Sequence, residues 1–139
     1  MIDLFTAATM NGRRAALALT QCGLAHRVHR LDLNKGDQRK PQLPAVNPRG
    51  TVPAIVDDNG PGGATITVTQ SAAIVLYCAE KSGQLMPNDP QHRIEALDWF
   101  MHAVTDLGRR HRHRFNCRLL RSRAQQTSVL RAAFPQALH

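Results

Sequence analysis

The sequence predicts an α/β domain with a mixed four-stranded sheet and helices on both faces, followed by one further helix and a basic tail. Short β-prone runs alternate with segments of helical apolar spacing, in the order β-α-β-(α)-β-β-α. The opening strand–helix–strand unit predicts a right-handed crossover between parallel strands. A glycine-rich connection between the last two strands predicts an antiparallel hairpin. These two kinds of pairing make the predicted sheet mixed.

The opening unit extends from residue 2 to residue 33. Ile2–Thr6 is apolar and β-prone, which predicts the first strand. Thr9 and Asn11 are helix N-cap residues, and the segment after them has an apolar stripe at i, i+3, i+4 and i+7, formed by Ala15, Ala18, Leu19 and Cys22. Gly23 is the expected end of this helix. Arg27–Leu33 alternates apolar and charged residues, which predicts the second strand.

The middle of the chain contains the hairpin. A polar loop at 34–38 leads into a short irregular helix at 39–46, and Asn47–Gly50 (NPRG) predicts a turn. Val52–Val56 is the predicted third strand, and it has a proline near its start. The glycines between residues 57 and 63 connect it to a fourth strand, Ala64–Thr69.

Two helices complete the predicted elements. Ala72–Lys81 carries Ile74, Val75 and Cys78 on one face, with Ser71 as its expected N-cap and Gly83 as its stop. After a linker at 87–90, a last helix is predicted from Gln91 to about Leu107. Its apolar residues recur at helical spacing, at Ile94, Leu97, Met101 and Val104.

The composition excludes several classes of protein. Hydrophobic residues make up 42% and charged residues 20%, as in ordinary soluble globular domains. We expect no secretory signal and no membrane span, because no long uninterrupted apolar run is present. The three cysteines are far apart, so they indicate neither a disulfide framework nor a zinc site. A cytoplasmic enzyme fits these features.

Four blocks of the sequence carry a family likeness. They are Thr9–Gly12 (TMNG), Asp32–Gln38 (DLNKGDQ), Asn47–Val56 (NPRGTVPAIV) and Ser71–Gly83 (SAAIVLYCAEKSG). Over residues 1–107 the chain resembles the N-terminal part of glutathione S-transferases, and most closely the bacterial Nu class. The resemblance implies a thioredoxin-like, glutathione-binding domain at 1–85. It also implies that residues 91–107 are the first helix of an all-helical C-terminal domain.

The same resemblance implies an activity. Enzymes of this family bind glutathione as cosubstrate and stabilise its thiolate, and Nu-class members have glutathione-dependent disulfide-bond reductase and peroxidase activity. A small electrophile, peroxide or disulfide is then the expected second substrate, and a homodimer is the family's usual state. No metal is implied. The first loop contains no cysteine, so bound glutathione would have to supply the thiols for disulfide reduction.

The expected catalytic residues lie in the loop between the first strand and the first helix. The resemblance implies that Thr9 and Asn11 donate hydrogen bonds to the glutathione sulfur, near a helix N-terminus that favours an anion. Met10 stands where the family usually has proline. Judged by local pattern alone, Thr9 and Asn11 are helix caps.

The expected glutathione-binding residues are Gln38, Arg49, Val52, Pro53, Gln70 and Ser71. The resemblance implies a cis proline at Pro53, with the Val52 backbone pairing with the cysteinyl part of glutathione. It implies that Gln70 and Ser71 hold the γ-glutamyl carboxylate, as a helix N-terminus can. The residues alone allow plainer interpretations. Pro53 is then the proline of an edge strand, and Gln70 and Ser71 are a simple helix start. Gln38 and Arg49 are then solvated loop residues. The basic residues Arg13, Arg14 and Lys35 are expected in flanking loops around the anionic tripeptide.

The net charge of +8 divides the chain in two. Residues 1–106 balance their basic and acidic residues, whereas 107–139 hold arginines and no acid. The likeness stops after Asp106, and three interpretations of 108–139 stay open. They are a frameshifted or truncated product, a basic arm that contacts phosphates of nucleic acid or acidic membranes, and a disordered tail without a partner. The abrupt change favours the first. The second gives the alternative function, a small non-enzymatic protein that binds nucleic acid.

Overall fold

The computed structural model describes residues 1–107, and its centre is a four-stranded mixed sheet in the order β2-β1-β3-β4. The strands are β1 (Ile2–Thr6), β2 (His26–Arg30), β3 (Ala54–Asp57) and β4 (Ile66–Thr69). β2 runs parallel to β1, whereas β3 is antiparallel to both β1 and β4. The predicted fold class, with its parallel opening unit and its hairpin, is confirmed.

Four α-helices accompany the sheet in the described residues: α1 (Met10–Gln21), α2 (Gln42–Val46), α3 (Ser71–Ser82) and α4 (Pro90–His102). Short 3-10 turns occur at Leu33–Lys35, Asp37–Arg39 and Pro61–Gly63, and a single π-turn occupies Ala103–Leu107. The chain divides into two compact units, Met1–Asp89 and a second that begins at Pro90. The sheet and the first three helices belong to the first unit.

The core of the first unit lies between one face of the sheet and the helices α1 and α3. Alternation along β1 buries Ile2 and Leu4 on this face. Seven further buried side chains complete the cluster: Ala15, Ala18, Leu19, Cys22, Ile55, Ile74 and Cys78. The two cysteines are therefore packing residues, as expected. Burial raises the pKa of the Cys78 thiol to about 11, so this thiol stays protonated at neutral pH.

A buried carboxylate links β3 to α3. Asp57, the last residue of β3, is 1% exposed and accepts a hydrogen bond from the Tyr77 hydroxyl at 2.6 Å. The Lys81 ammonium lies 2.9 Å from the same oxygen, and the Asn59 N–H donates to the other at 3.0 Å. Burial disfavours the charged form, but these donors outweigh it and hold the pKa of Asp57 below its usual value.

Several predicted boundaries were wrong by a few residues. β2 ends at Arg30 rather than Leu33, because the Asp32 carboxylate accepts the Asn34 N–H at 3.0 Å and turns the chain into a 3-10 segment. The short helix α2 starts at Gln42 rather than at 39. α4 ends at His102, and the turn after it is π-helical.

The start of α3 also differs from the prediction. Its N-cap is Gln70, with φ 73 and ψ 119, and Ser71 is the first helical residue. At the other end Gly83 adopts the left-handed conformation with φ 68, as expected for a helix stop. The interpretations of the tail concern residues 108–139, which lie outside the described part of the chain.

Candidate functional site

The strand register brings the predicted site segments to one edge of the sheet. Phe5 of β1 pairs with Ala54 of β3, and Ala54 pairs with Thr69 of β4. The connection that follows β1, the residues that precede β3 and the residues that follow β4 therefore leave the sheet at the same edge. These three segments contain Thr9, the pair Val52–Pro53 and the pair Gln70–Ser71.

Thr9 is the N-cap of α1. Its Oγ1 accepts the Gly12 N–H at 3.0 Å, which satisfies one of the orphan donors of the first helical turn. The capping alternative is thus seen directly. It leaves the hydroxyl proton of Thr9 available, because a hydroxyl can accept one hydrogen bond and donate another. Asn11 lies in the same turn and is exposed, so both residues are accessible at the positive end of α1.

Gly12 holds this turn close to the preceding loop. A Cβ at this position would overlap the Ala7 carbonyl oxygen and lie 2.5 Å from the Thr6 Oγ1. Only a residue without a side chain allows α1 to begin so near β1. The placement of Thr9 and Asn11 therefore depends on the glycine that follows them.

The Val52–Pro53 peptide bond is cis, as the resemblance implies. The loop before it is organised by Asn47, which is 2% exposed. The Asn47 amide donates to the Thr51 carbonyl at 2.8 Å and to the Thr51 hydroxyl at 3.1 Å, and its oxygen accepts the Arg49 N–H at 3.2 Å. Arg49 itself is exposed on this loop.

The N-terminus of α3 has no side-chain cap. Its first N–H groups therefore remain open to an anion. Ser71 is 6% exposed, and its Oγ accepts a hydrogen bond from Arg14 Nη1 at 2.9 Å. Gln70 is exposed, and its φ of 73 lies in a region that non-glycine residues rarely adopt. Such backbone strain is often found at functional sites.

Gln38 lies in the second 3-10 turn after β2, Asp37–Arg39, next to the loop that carries Arg49. A Cβ on Gly50 would lie 3.3 Å from the Gln38 carbonyl oxygen, so the two segments are in close contact. The Gln38 Oε1 is buried and has no hydrogen-bond partner among the described residues. An orphaned acceptor of this kind suits a ligand donor.

A cavity of about 540 Å³ lies between the β1–α1 connection and the segment after β2. Its lining includes Thr9, Asn34 and Asp37, but not the residues expected at the glutathione carboxylate. The Lys40 ammonium, together with the Asp32 N–H, holds the pKa of Asp37 below its usual value. Lys35 is exposed and lies 3.8 Å from the Asp32 carboxylate. The cavity therefore adjoins Thr9, one of the two predicted catalytic residues, and its lining includes neither Asn11 nor the N-terminal residues of α3.

The sequence prediction placed two arginines in the wrong element and missed the role of one asparagine. Arg13 and Arg14 lie on α1, not in a loop, and Arg14 contacts α3. Asn47 was read only as part of a turn, although it organises the whole loop before Pro53. An asparagine just after a helix and before a proline–glycine turn is the signal that could have singled it out.

Within residues 1–107, no group of three or more histidine, cysteine or acidic side chains is arranged to hold a metal ion. In the same range, no helix has the length and apolarity that crossing a membrane requires.

Comparison with known proteins shows the class to which this fold and site belong. The sequence profile of the glutathione S-transferase N-terminal domain matches residues 11–81, about half of the chain. The chain belongs to the glutathione S-transferase family.

The relatives described below are bacterial. The chain is 38% identical over 109 residues to the disulfide-bond oxidoreductase YfcG of Escherichia coli, a match that covers 78% of this chain and 51% of YfcG. A glutathione transferase family member from Pseudomonas fluorescens, solved with two glutathione molecules bound, is 34% identical with a TM-score of 0.72. The match covers 77% of this chain and 47% of that one. The chain thus spans about half the length of these relatives. The nucleic-acid alternative draws no support from these matches.

A third relative was solved with the oxidised ligand. The glutathione transferase from Pseudomonas putida, with one glutathione disulfide bound per subunit, is 36% identical with a TM-score of 0.72. The match covers 77% of this chain and 46% of that protein.

Proposed function

We propose that the chain binds glutathione at this edge of the sheet and stabilises its thiolate, for the reduction of disulfides or peroxides or for transfer to electrophiles. The observation that carries the proposal is the register of β1, β3 and β4. It gathers a helix N-terminus with a capping threonine, a cis proline and a second, uncapped helix N-terminus at one edge. Relatives solved with glutathione or its disulfide support it.

The thiolate end of the ligand belongs at the start of α1. Thr9 accepts the Gly12 N–H, which leaves its hydroxyl proton free to be donated, and such a donor suits a sulfur anion. The positive end of α1 lowers the energy of the same anion. Asn11, exposed in this turn, supplies the second donor. These are the roles that the family resemblance assigns to them.

The rest of the tripeptide follows the sheet edge. The Val52 backbone, before the cis bond to Pro53, pairs with the cysteinyl residue. Gln70 and Ser71 take the γ-glutamyl carboxylate at the α3 N-terminus. Gln38 and Arg49, on adjoining loops, are the remaining contacts to glutathione. On the same likeness we propose a cytoplasmic protein that forms homodimers and acts on a small electrophile, peroxide or disulfide.

The test is a titration of the whole chain with reduced glutathione by calorimetry. Ser71→Ala removes the hydroxyl at the carboxylate end, and we expect the dissociation constant to rise about tenfold to hundredfold, since a hydrogen bond to a charged group contributes about 1.5–3 kcal/mol. Ser82→Ala is the matched control, because Ser82 lies at the opposite end of α3, where its Oγ donates to the Cys78 carbonyl. No saturable binding by the unmodified chain would refute the proposal.

The thiolate role has its own readout. With glutathione bound, the ultraviolet absorbance of the thiolate, followed against pH, gives the thiol pKa. Thr9→Ala removes the proposed donor, so we expect this pKa to rise. Thr20→Ala, on the exposed side of the same helix, is the control, since the Thr20 hydroxyl only donates to the Ala16 carbonyl. Equal thiol pKa values in both variants would remove Thr9 from the mechanism.

A further inference from the structure

We infer that Arg14 is the positioning residue of the γ-glutamyl carboxylate subsite, which it serves by fixing the Ser71 hydroxyl and by supplying positive charge; the inference rests on the proposed function. Arg14 lies on α1 and Ser71 begins α3, and 57 residues of sequence separate them. A hydrogen bond of 2.9 Å from Arg14 Nη1 to Ser71 Oγ joins the two side chains.

The direction of this hydrogen bond decides what Ser71 can do. A guanidinium has no acceptor, so Arg14 donates and the Ser71 oxygen accepts. The serine hydroxyl proton is then turned away from Arg14. Ser71 is buried, with 6% of its surface exposed, so this proton would ordinarily bond to a protein acceptor. Within residues 1–107 the structure shows no acceptor for it. The arrangement leaves one buried, oriented donor at the uncapped end of α3.

The charge balance around Arg14 points in the same direction. Arg14 is half-buried, and within the described residues it forms no ion pair with a carboxylate. A partly buried cation without a counter-ion is costly, and the open N–H groups of α3 add positive potential nearby. An anionic group at this point would neutralise both. In glutathione the α-carboxylate of the γ-glutamyl residue is the group that the family resemblance places at Ser71.

Arg14 therefore makes the site selective for ligands that carry this carboxylate. The matched pair of ligands is glutathione and γ-aminobutyryl-cysteinylglycine, which is glutathione without its α-carboxylate. Arg14→Gln removes the charge and the fork of donors. We expect it to weaken glutathione binding about tenfold and to leave the weaker binding of the analogue unchanged. A purely structural role for Arg14 would weaken both ligands by the same factor.

Arg27→Gln is the control for net charge, because Arg27 is an exposed arginine on the edge strand β2, 3.9 Å from the Asp3 carboxylate. It should change neither dissociation constant. Should the Arg14→Gln chain fail to fold, Arg14→Met, which keeps an unbranched side chain but has neither the charge nor the donors, is measured with the same two ligands, and the loss must again be confined to glutathione. Equal loss for both ligands, or no loss for either, overturns the inference. Failure of the unmodified chain to bind glutathione would instead overturn the proposed function.

Discussion

Replacing Asp57 by asparagine tests whether the buried carboxylate stabilises the first unit. The substitution keeps the size of the side chain and removes its charge. Asp57 receives donors from Tyr77, Lys81 and the Asn59 backbone. An asparagine has one acceptor oxygen and two N–H donors, so at least one of the three donors would face another donor.

The size of the loss follows from the burial of the two partners. Removing one member of a buried ion pair costs about 3–5 kcal/mol when the other charge stays dry. The Lys81 side chain is 26% exposed, so its ammonium can recover some hydration. We therefore expect a loss of about 3 kcal/mol in the free energy of unfolding, at the lower end of that range. This is a large fraction of the about 5–15 kcal/mol typical of a domain.

Urea unfolding at neutral pH measures this loss as a lower midpoint with an unchanged slope. Asp58→Asn is the matched control, because the carboxylate of Asp58, next in sequence to Asp57, is 64% exposed and pairs with the N-terminal ammonium. The control should change stability by less than about 1 kcal/mol, as exposed ion pairs do. If the two substitutions cost the same, the Asp57 cluster does not stabilise the fold.

The pH dependence gives an independent check. The pKa of Asp57 is lowered in the folded chain, so its contribution is complete above the unfolded pKa of about 3.9 and is lost as the pH falls through the lower folded value. The stability difference between the unmodified chain and Asp57→Asn should therefore shrink below about pH 4. A difference that stays constant into strong acid would contradict this assignment of charge.

Two further substitutions test the loops that shape the site. Gly12→Ala should lower the free energy of unfolding by about 1–3 kcal/mol, measured by urea unfolding, because a Cβ overlapping the Ala7 carbonyl oxygen outweighs the roughly 1 kcal/mol of helix propensity that alanine gains. Asn47→Ala should cost about 1–3 kcal/mol and weaken glutathione binding in calorimetry, because it removes the three hydrogen bonds by which the buried Asn47 amide holds the loop that leads to Pro53.

Controls separate these effects from general damage. Asn34→Ala removes an exposed asparagine from the first 3-10 turn after β2, Leu33–Lys35, and should change the free energy of unfolding by less than about 0.5 kcal/mol. Unchanged or raised stability in Gly12→Ala would contradict the close approach of α1 to the loop before it. Full stability and full affinity in Asn47→Ala would contradict its role in the loop.

The order and type of the elements were predictable because each strand and helix has its own local pattern. The stripe formed by Ala15, Ala18 and Leu19 is enough to define α1, and it is the face that the structure buries. The hairpin was equally readable from its glycines. Element ends were less predictable, since they depend on single hydrogen bonds such as that from the Asn34 N–H to Asp32.

Contacts between distant segments could not be read from the sequence. Aspartate is common in turns, so the sequence places Asp57 in the hairpin connection. In the structure it is the buried last residue of β3, where Tyr77 and Lys81 contact its carboxylate. Ser71 looked like an N-cap because serine favours that position, but the unusual φ of Gln70 moves the cap one residue earlier. Arg14 reaches Ser71 across 57 residues, and no local pattern reports such a contact.

The roles expected for Thr9, Asn11, Gln38 and the pairs around Pro53 and Ser71 came from the family likeness. The sequence alone offered caps, turns and helix starts for the same residues. For Thr9, the Val52–Pro53 pair and the Gln70–Ser71 pair, the structure adds a shared edge, which is a property of strand order and pairing. The chemistry assigned to each of them stays a prediction until the titrations above are made.

The shared edge also links ligand binding to folding. Its three segments come from residues 9, 52–53 and 70–71, and they meet only when Phe5, Ala54 and Thr69 are in register. A chain that has formed only its opening strand–helix–strand unit has no complete site, so the ligand recognises the finished sheet. A ligand that binds only the folded state stabilises it, by about 2.7 kcal/mol at one hundred times its dissociation constant. Under the proposed function, glutathione at concentrations above its dissociation constant would then favour the folded chain in addition to occupying its site.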